Sequence, residues 1–222
     1  MLFYWVVLEE EDDKKELILA SASPRRKEIL ELFRVDFKVI KPENFEERQY
    51  KNPYKTVAWN SIAKTRSVYD CIRKQNSKKT AVDYNKYNKG RQFLIAGFDT
   101  IVYAGGKSMG KPLDREQAID FLKILSGKTH KVITGVCVLE SISGKYVCNA
   151  ETTKVKFRKL TTGEIKRYVE RENVLDKAGA YNVLGYGSLL VEKVSGCFYN
   201  IAGVPVAKFV DLLRKFGFNV FC

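Results

Sequence analysis

"LILASASPRRKEIL", residues 17–30, sets an apolar run against small polar residues, a proline and two adjacent arginines before a helical pattern begins. The run at 17–20 predicts a buried strand. Ser23 suits an N-cap and Pro24 the first helical position, where its missing N–H costs nothing. Ile29, Leu30 and Phe33 give the helix its buried side. A strand handing over directly to a helix is the building unit of an α/β fold. Arg25 and Arg26 fall on the first turn, where unpaired backbone N–H groups already favour an anion. Guanidinium groups there are either solvated or matched by an anionic ligand. Together with Ser21 and Ser23 they would seat a phosphate.

The pattern continues on both sides of a central apolar segment. "FKVI" (37–40) reads as a second strand, followed by a loop carrying Glu43, Glu46 and Glu47 and a helix from about Tyr54 through Lys64. "FLIAGFDTIVYAGG" (93–106) reads as a buried strand, a break at 97–100, and another strand ending in a glycine turn. Asp99 and Thr100 are an expensive polar pair inside such a run. "DREQAIDFLKILSG" (114–127) is an amphipathic helix with Asp114 as cap, Gln117 three residues on and Gly127 as stop. Residues 129–160 read as two long strands joined by a hairpin around Ser143 and Gly144. Thr161 and Glu164 then open a helix through a capping box, and residues 205–217 form the last one.

At 222 residues, 45% hydrophobic and 29% charged, the chain suits a single α/β domain that can bury its core without staples. Residues 1–16 read as an N-terminal extension, 17–222 as the domain, and 75–91, rich in Lys, Asn and Tyr, as a surface insertion. The net charge of +13 admits nucleic acid, phosphorylated substrates or a lysine-rich surface. Lys154, Lys156 and Arg158 alternate with Val155 and Phe157 as a solvated strand face; with Tyr84 and Tyr87 to stack bases they would also serve a nucleic-acid-binding protein.

Five widely spaced cysteines, 71, 137, 148, 197 and 222, indicate neither a disulfide framework nor a thiolate zinc site and fit a reducing, cytoplasmic compartment. The opening "MLFYWVVLEEEDDKK" is too short an apolar run for a membrane span and lacks a basic leader. His130 is the only histidine, so a multi-histidine metal centre is excluded and a structural role expected. Any metal must be held by oxygen, which selects magnesium or manganese over zinc. "GKSMG" (106–110) satisfies the nucleophile-elbow pattern by chance, since a glycine, Lys111 and a proline follow where a helix is needed.

What remains is a set of carboxylates and cations on separate elements: Asp99 and Thr100 at the strand break, Lys111 in "MGKP", Lys64 in "SIAKTRSV" and Glu46 after Pro42. A nucleoside triphosphate carries roughly four negative charges. Arg25, Arg26, Lys64 and Lys111, with one or two magnesium ions, would match it.

The ordered series "LASASPRR", "SIAKTRSV", "DT", "GKP", "LSGKTHKVITGV", "DKAGAY" and "IAGVP" resembles the Maf family, septum-formation-inhibitor-like nucleotide pyrophosphatases. The resemblance implies an inosine-triphosphatase-like α/β fold with a long mixed sheet and two lobes around a cleft. It implies hydrolysis of a nucleoside triphosphate to monophosphate and pyrophosphate with a divalent metal, and a homodimer. Carried over by motif, Asp99 is the catalytic acid that binds metal or orients water, assisted by Lys64 and Lys111. Glu46 is its metal partner, with Glu43 and Glu47 close by. Ser21, Arg25, Arg26 and Thr100 join the two lysines as phosphate and nucleotide contacts. "DKAGAY" (176–181) resembles the branch acting on thymidine and uridine triphosphates, yet Leu184 stands where that branch commonly has glutamine. Leucine cannot hydrogen-bond a base edge, so selectivity would rest on backbone groups or Asn182. A nucleotide-binding regulator of cell division without turnover is the third class the pattern admits.

Overall fold

The computed structural model describes residues 15–74 and 92–221. The expected extension lies outside the described residues up to residue 14, and the expected insertion at 75–91 entirely so. The chain runs β1 (Glu16–Ala20), α1 (Pro24–Leu32), β2 (Phe37–Ile40), α2 (Pro53–Lys74), β3 (Phe93–Ala104), β4 (Lys107–Met109), α3 (Arg115–Leu125), β5 (Thr129–Glu140), β6 (Tyr146–Phe157), α4 (Thr162–Arg171), β7 (Val191–Ser195), α5 (Phe198–Ile201) and α6 (Val206–Arg214). One mixed sheet of seven strands orders them β2-β1-β3-β5-β6-β7, with β4 paired to β3. This is the mixed α/β sheet with flanking helices that the sequence predicts.

Alternation decides which helix covers which face. Leu17, Leu19, Leu94, Ala96 and Phe98 join the larger core with residues of α1, α3, α4 and α6. Ile18, Ala20, Phe93 and Ile95 turn the other way, to Val68 and Ile72 of α2. Two glycines let α2 lie against the sheet. A Cβ on Gly97 would sit 2.2 Å from Thr65 Oγ1 and 2.7 Å from the Ser61 carbonyl, and one on Gly135 would sit 2.4 Å from the Val57 carbonyl. Both are positions of close approach, where only glycine fits.

The pairing pattern opens a notch in the sheet. β1 runs parallel to β3 only as far as Ala20 opposite Gly97, whereas β4 rejoins β3 at Val102 opposite Met109. Between these points one edge of β3 has no neighbouring strand among the described residues, so Asp99 on the α2 face and Thr100 on the opposite face both reach the same opening. A cleft beyond the carboxyl end of a parallel strand is the usual ligand position in such sheets.

Several expectations need correction. β3 runs unbroken from Phe93 through Ala104, with no interruption at 97–100, because groups on α2 satisfy Asp99. The second helix continues ten residues past Lys64, to Lys74. Phe33 is not buried but sits at the end of α1, 37% exposed, with its ring edge-on to Tyr199 at 5.1 Å. Ser23 has the extended backbone of an N-cap but makes no side-chain cap bond. Glu16, assigned to the extension, already belongs to β1. The edge strand β7 went unforeseen. Cys137 and Cys148, expected free, face each other across β5 and β6 with Cα atoms 4.1 Å apart and are joined as a disulfide. The hairpin register places them opposite one another, which spacing along the chain does not reveal. The caps on Asp114 and Thr161 form as expected.

Candidate active site

The notch holds a cavity of about 640 Å³, within the range of small-molecule sites. Lys64 is part of its lining. Its ammonium donates to Asp99 Oδ1 at 2.6 Å and pairs with Glu47 Oε1 at 2.9 Å, so one cation joins two carboxylates that come from β3 and from the loop before α2. Asn60, one turn earlier on α2, donates its side-chain amide to Asp99 Oδ2 at 3.2 Å. Both oxygens of Asp99 are thereby held, although the residue is only 7% exposed. Burial pushes the Glu47 carboxyl up, but the Lys64 hydrogen bond and charge, with the charges of Lys111 and Arg26, outweigh it and leave the group below its ordinary range.

The two arginines behave differently. Arg26 is fully engaged by the protein: Nε donates to the Gly203 carbonyl at 3.1 Å, Nη1 to Ser21 Oγ at 3.3 Å and Nη2 to Thr100 Oγ1 at 3.1 Å. Burial lowers its pKa to about 10, with Asp99 opposing the shift, so it stays charged near neutrality. Arg25 gives Nη2 to the Asp176 carbonyl at 3.3 Å, while its buried Nε has no partner among the described residues. Burial lowers its pKa too, against the charge of Asp176. Arg26 is therefore a fixed positive charge that orients two hydroxyls, and Arg25 keeps donors to spare.

Of the residues singled out from the sequence, Ser21, Arg25, Arg26, Lys64, Asp99, Thr100 and Lys111 all line this cavity. Lys111 is exposed at its rim. Glu46 and Leu184 do not line it. The Glu46 carboxylate turns outward and accepts from Arg48 Nε at 3.1 Å and Nη2 at 2.8 Å, and its neighbour Glu47 takes the inward place. Adjacent residues of a non-helical loop face opposite sides, and sequence alone does not say which faces in. Leu184 is 39% exposed, its backbone N–H turned to Asn182 Oδ1 at 3.3 Å. Asn60 and Arg48 line the cavity and were missed. A signal for Asn60 existed: with Thr56 and Lys64 it forms a polar i, i+4 stripe beside the buried Val57, Ser61 and Thr65.

Other expected features fall outside the cavity. His130 is buried on the opposite face of the sheet, its Nε2 3.0 Å from the Tyr181 hydroxyl, in the structural role expected of it. The proposed nucleic-acid face is partly neutralised, since Lys156 pairs with Glu192 at 3.1 Å and Arg158 with Glu164 at 2.8 Å, while Lys154 is exposed.

The donor set suits a hard cation held in part by its ligand. Asp99 and Glu47 supply carboxylate oxygens, and among the described residues no group of three or more His, Cys, Asp or Glu could hold a metal alone. Magnesium-type ions bind in this manner, through one or two carboxylates plus phosphate oxygens and water. Soft ligands of the zinc kind are missing from the cavity lining.

Fold and cavity together define an α/β protein whose cleft gathers paired arginines and a lysine-bridged pair of carboxylates. The particular family follows from comparison: the family model described as Maf-like protein matches residues 16–216, and the chain belongs to that family. Among its relatives are proteins named dTTP/UTP pyrophosphatase. One from Bdellovibrio bacteriovorus is 40% identical over 200 residues, covering 90% of this chain and 98% of the relative. Another from Caldicellulosiruptor bescii is 36% identical over 205 residues, covering 92% and 96%. A third, from Dictyoglomus thermophilum, is 38% identical over 206 residues, covering 92% and 97%. Among the described residues no helix is long and apolar enough to cross a membrane.

Proposed function

We propose that this chain hydrolyses a nucleoside triphosphate to the monophosphate and pyrophosphate, with dTTP and UTP as preferred substrates. The observation that carries the reading is the convergence of Asp99, Glu47 and Lys64 with the two arginines in one cavity. The names of the relatives add the substrate class. As the family resemblance implies, the working form is a homodimer.

Each residue has a part that follows from its surroundings. Arg25 offers its spare donors to phosphate oxygens, and Lys111 at the rim adds an exposed cation. Arg26 cannot turn toward a ligand without giving up three bonds, so it contributes fixed charge and aims the hydroxyls of Ser21 and Thr100. Such preorganised cations stabilise the charge gathering on a departing pyrophosphate. Asp99, held at both oxygens, positions the attacking water and accepts its proton. Lys64 holds Asp99 and Glu47 at a fixed separation and favours the ionised form of Glu47. Magnesium or manganese, held by Asp99 and Glu47 and by the substrate, would supply Lewis-acid polarisation of the phosphoryl oxygens. Glu47 rather than Glu46 takes that role, because the Glu46 carboxylate is turned outward to Arg48 and Glu47 lines the cavity. No covalent nucleophile is required.

The test is release of pyrophosphate across UTP, dTTP, CTP and GTP, with and without magnesium. Release from UTP and dTTP that stops on chelation is expected. No release from any triphosphate in the presence of magnesium or manganese would overturn the reading.

A further inference from the structure

Asn60 is 5% exposed on the sheet-facing side of α2 and stands between two groups of opposite demand. Its side-chain carbonyl accepts the backbone N–H of Arg48 at 2.9 Å, and its amide donates to Asp99 Oδ2 at 3.2 Å. A backbone N–H only donates and a carboxylate only accepts, so a group bridging them must do both. A primary amide does this from two separate atoms with fixed geometry. Aspartate here could serve Arg48 but would set a second negative charge against Asp99. Leucine, of similar volume, could serve neither.

Arg48 is the next residue after Glu47, so the bond from its N–H fixes the backbone from which Glu47 reaches Lys64 at 2.9 Å. The other side of the same loop is clamped separately: the Arg48 side chain is bound by Glu46 and lies over the Trp59 ring at 4.5 Å. The ends of the loop are tied to α2 at Glu43, whose N–H donates to Ser67 Oγ at 2.9 Å, and at Tyr50, whose N–H donates to Thr56 Oγ1 at 2.9 Å. Next to Glu47 itself it is held from outside by an exposed ion pair, which contributes little, and from inside by the buried Asn60 amide.

We propose that Asn60 is a positioning residue: it ties the Glu47-bearing loop to Asp99 and so sets the spacing of the two carboxylates that hold the divalent ion. The inference rests on the assignment of Asp99 and Glu47 given above. Outer-shell partners of metal ligands commonly change affinity by 10–100-fold when removed. The aspartate variant separates the two halves of the role, because it keeps the acceptor for Arg48 and loses the donor to Asp99.

The experiment uses the full chain, alone for hydrogen exchange and with a non-hydrolysable UTP analogue present for the manganese titrations, because the ion is held in part by its ligand. Backbone hydrogen exchange is followed in peptides spanning residues 45–50 by mass spectrometry, and manganese binding by calorimetry. Asn60→Leu should exchange about fivefold faster or more at Arg48, the effect of losing one hydrogen bond. It should bind manganese roughly tenfold more weakly. Asn60→Asp should keep parental protection at Arg48. Should leucine prevent folding, Asn60→Ser, too short to reach both partners, should show the same two changes. Exchange and manganese affinity within twofold of the parent in the leucine variant, or in the serine variant if leucine fails to fold, would overturn the inference. So would loss of protection in Asn60→Asp. A parental chain that releases no pyrophosphate would overturn the proposed reaction instead, while the exchange comparison would still decide whether Asn60 holds the loop.

Discussion

The two faces of the central sheet bury titratable groups in opposite ways. On the α2 face, Asp99 is hidden but joined to Lys64, which also takes Glu47. On the other face, His130 is hidden with no counter-charge among the described residues: one ring nitrogen meets the Tyr181 hydroxyl, the other has no partner among them, and Phe157 stands edge-on at 4.9 Å. Burial alone lowers the His130 pKa to about 4, and burial raises that of Tyr181. Both are neutral near pH 7. The contrast separates chemistry from architecture: a buried charge persists where a partner and a cavity answer it, and where neither does, the group gives up its charge and becomes packing.

The sharpest break of this contrast is on the charged side. Asp99→Asn and Lys64→Met should each lower turnover of UTP by roughly 100-fold or more, the scale of losing a preorganised electrostatic group. The melting temperature of Asp99→Asn should stay within a few degrees of the parent's, since Lys64 keeps Glu47. Steady-state kinetics beside calorimetric melting checks both.

On the neutral side the expected effect is on stability and depends on pH. The folded pKa of His130, about 4, lies below its ordinary value of 6.5. Between these values the unfolded chain binds a proton that the folded one refuses, so the stabilisation is complete above pH 6.5 and is lost as pH falls toward 4. The slope approaches about 1.4 kcal/mol per unit, so His130 should account for about 2 kcal/mol between pH 6.5 and 5. Urea unfolding of the parent and of His130→Phe should show that difference; equal pH slopes would remove His130 from the account.

A comparable effect should come from the contact that seats α2 on the sheet. Gly97→Ala forces a Cβ against the Ser61 carbonyl at 2.7 Å, and overpacking of this kind costs about 1–3 kcal/mol. It should also lower turnover by shifting α2, which carries Lys64 and Asn60. The smallest separates two neighbours: Glu46→Gln should leave turnover within about twofold, as expected for an exposed pair, while Glu47→Gln should lower it by about tenfold or more. Equal losses would return Glu46 to the site.

What could be read from the sequence was local. The strand-to-helix step at 17–30, the caps on Asp114 and Thr161 and the hairpin near Gly144 depend on neighbouring residues, and all appear except the Ser23 side-chain cap and the burial of Phe33. What failed was non-local. Asp99 looked like a break in β3 because its partners Asn60 and Lys64 lie 39 and 35 residues earlier in the chain. Strand β7, "VEKVS", carries two adjacent charges and shows no apolar alternation to betray an edge strand. The cations and Asp99 were legible because their chemistry is conspicuous among apolar neighbours. Glu47 and Asn60 were not, because a loop's facing and a helix's packing angle choose between adjacent polar residues.

Phosphorus NMR of dTTP hydrolysis, run on the parent and on Asp99→Asn in the same magnesium buffer, tests the central claim most directly. Signals of monophosphate and pyrophosphate should grow together in the parent and roughly 100-fold more slowly in the variant. Equal rates, or diphosphate and orthophosphate as the products, would contradict it.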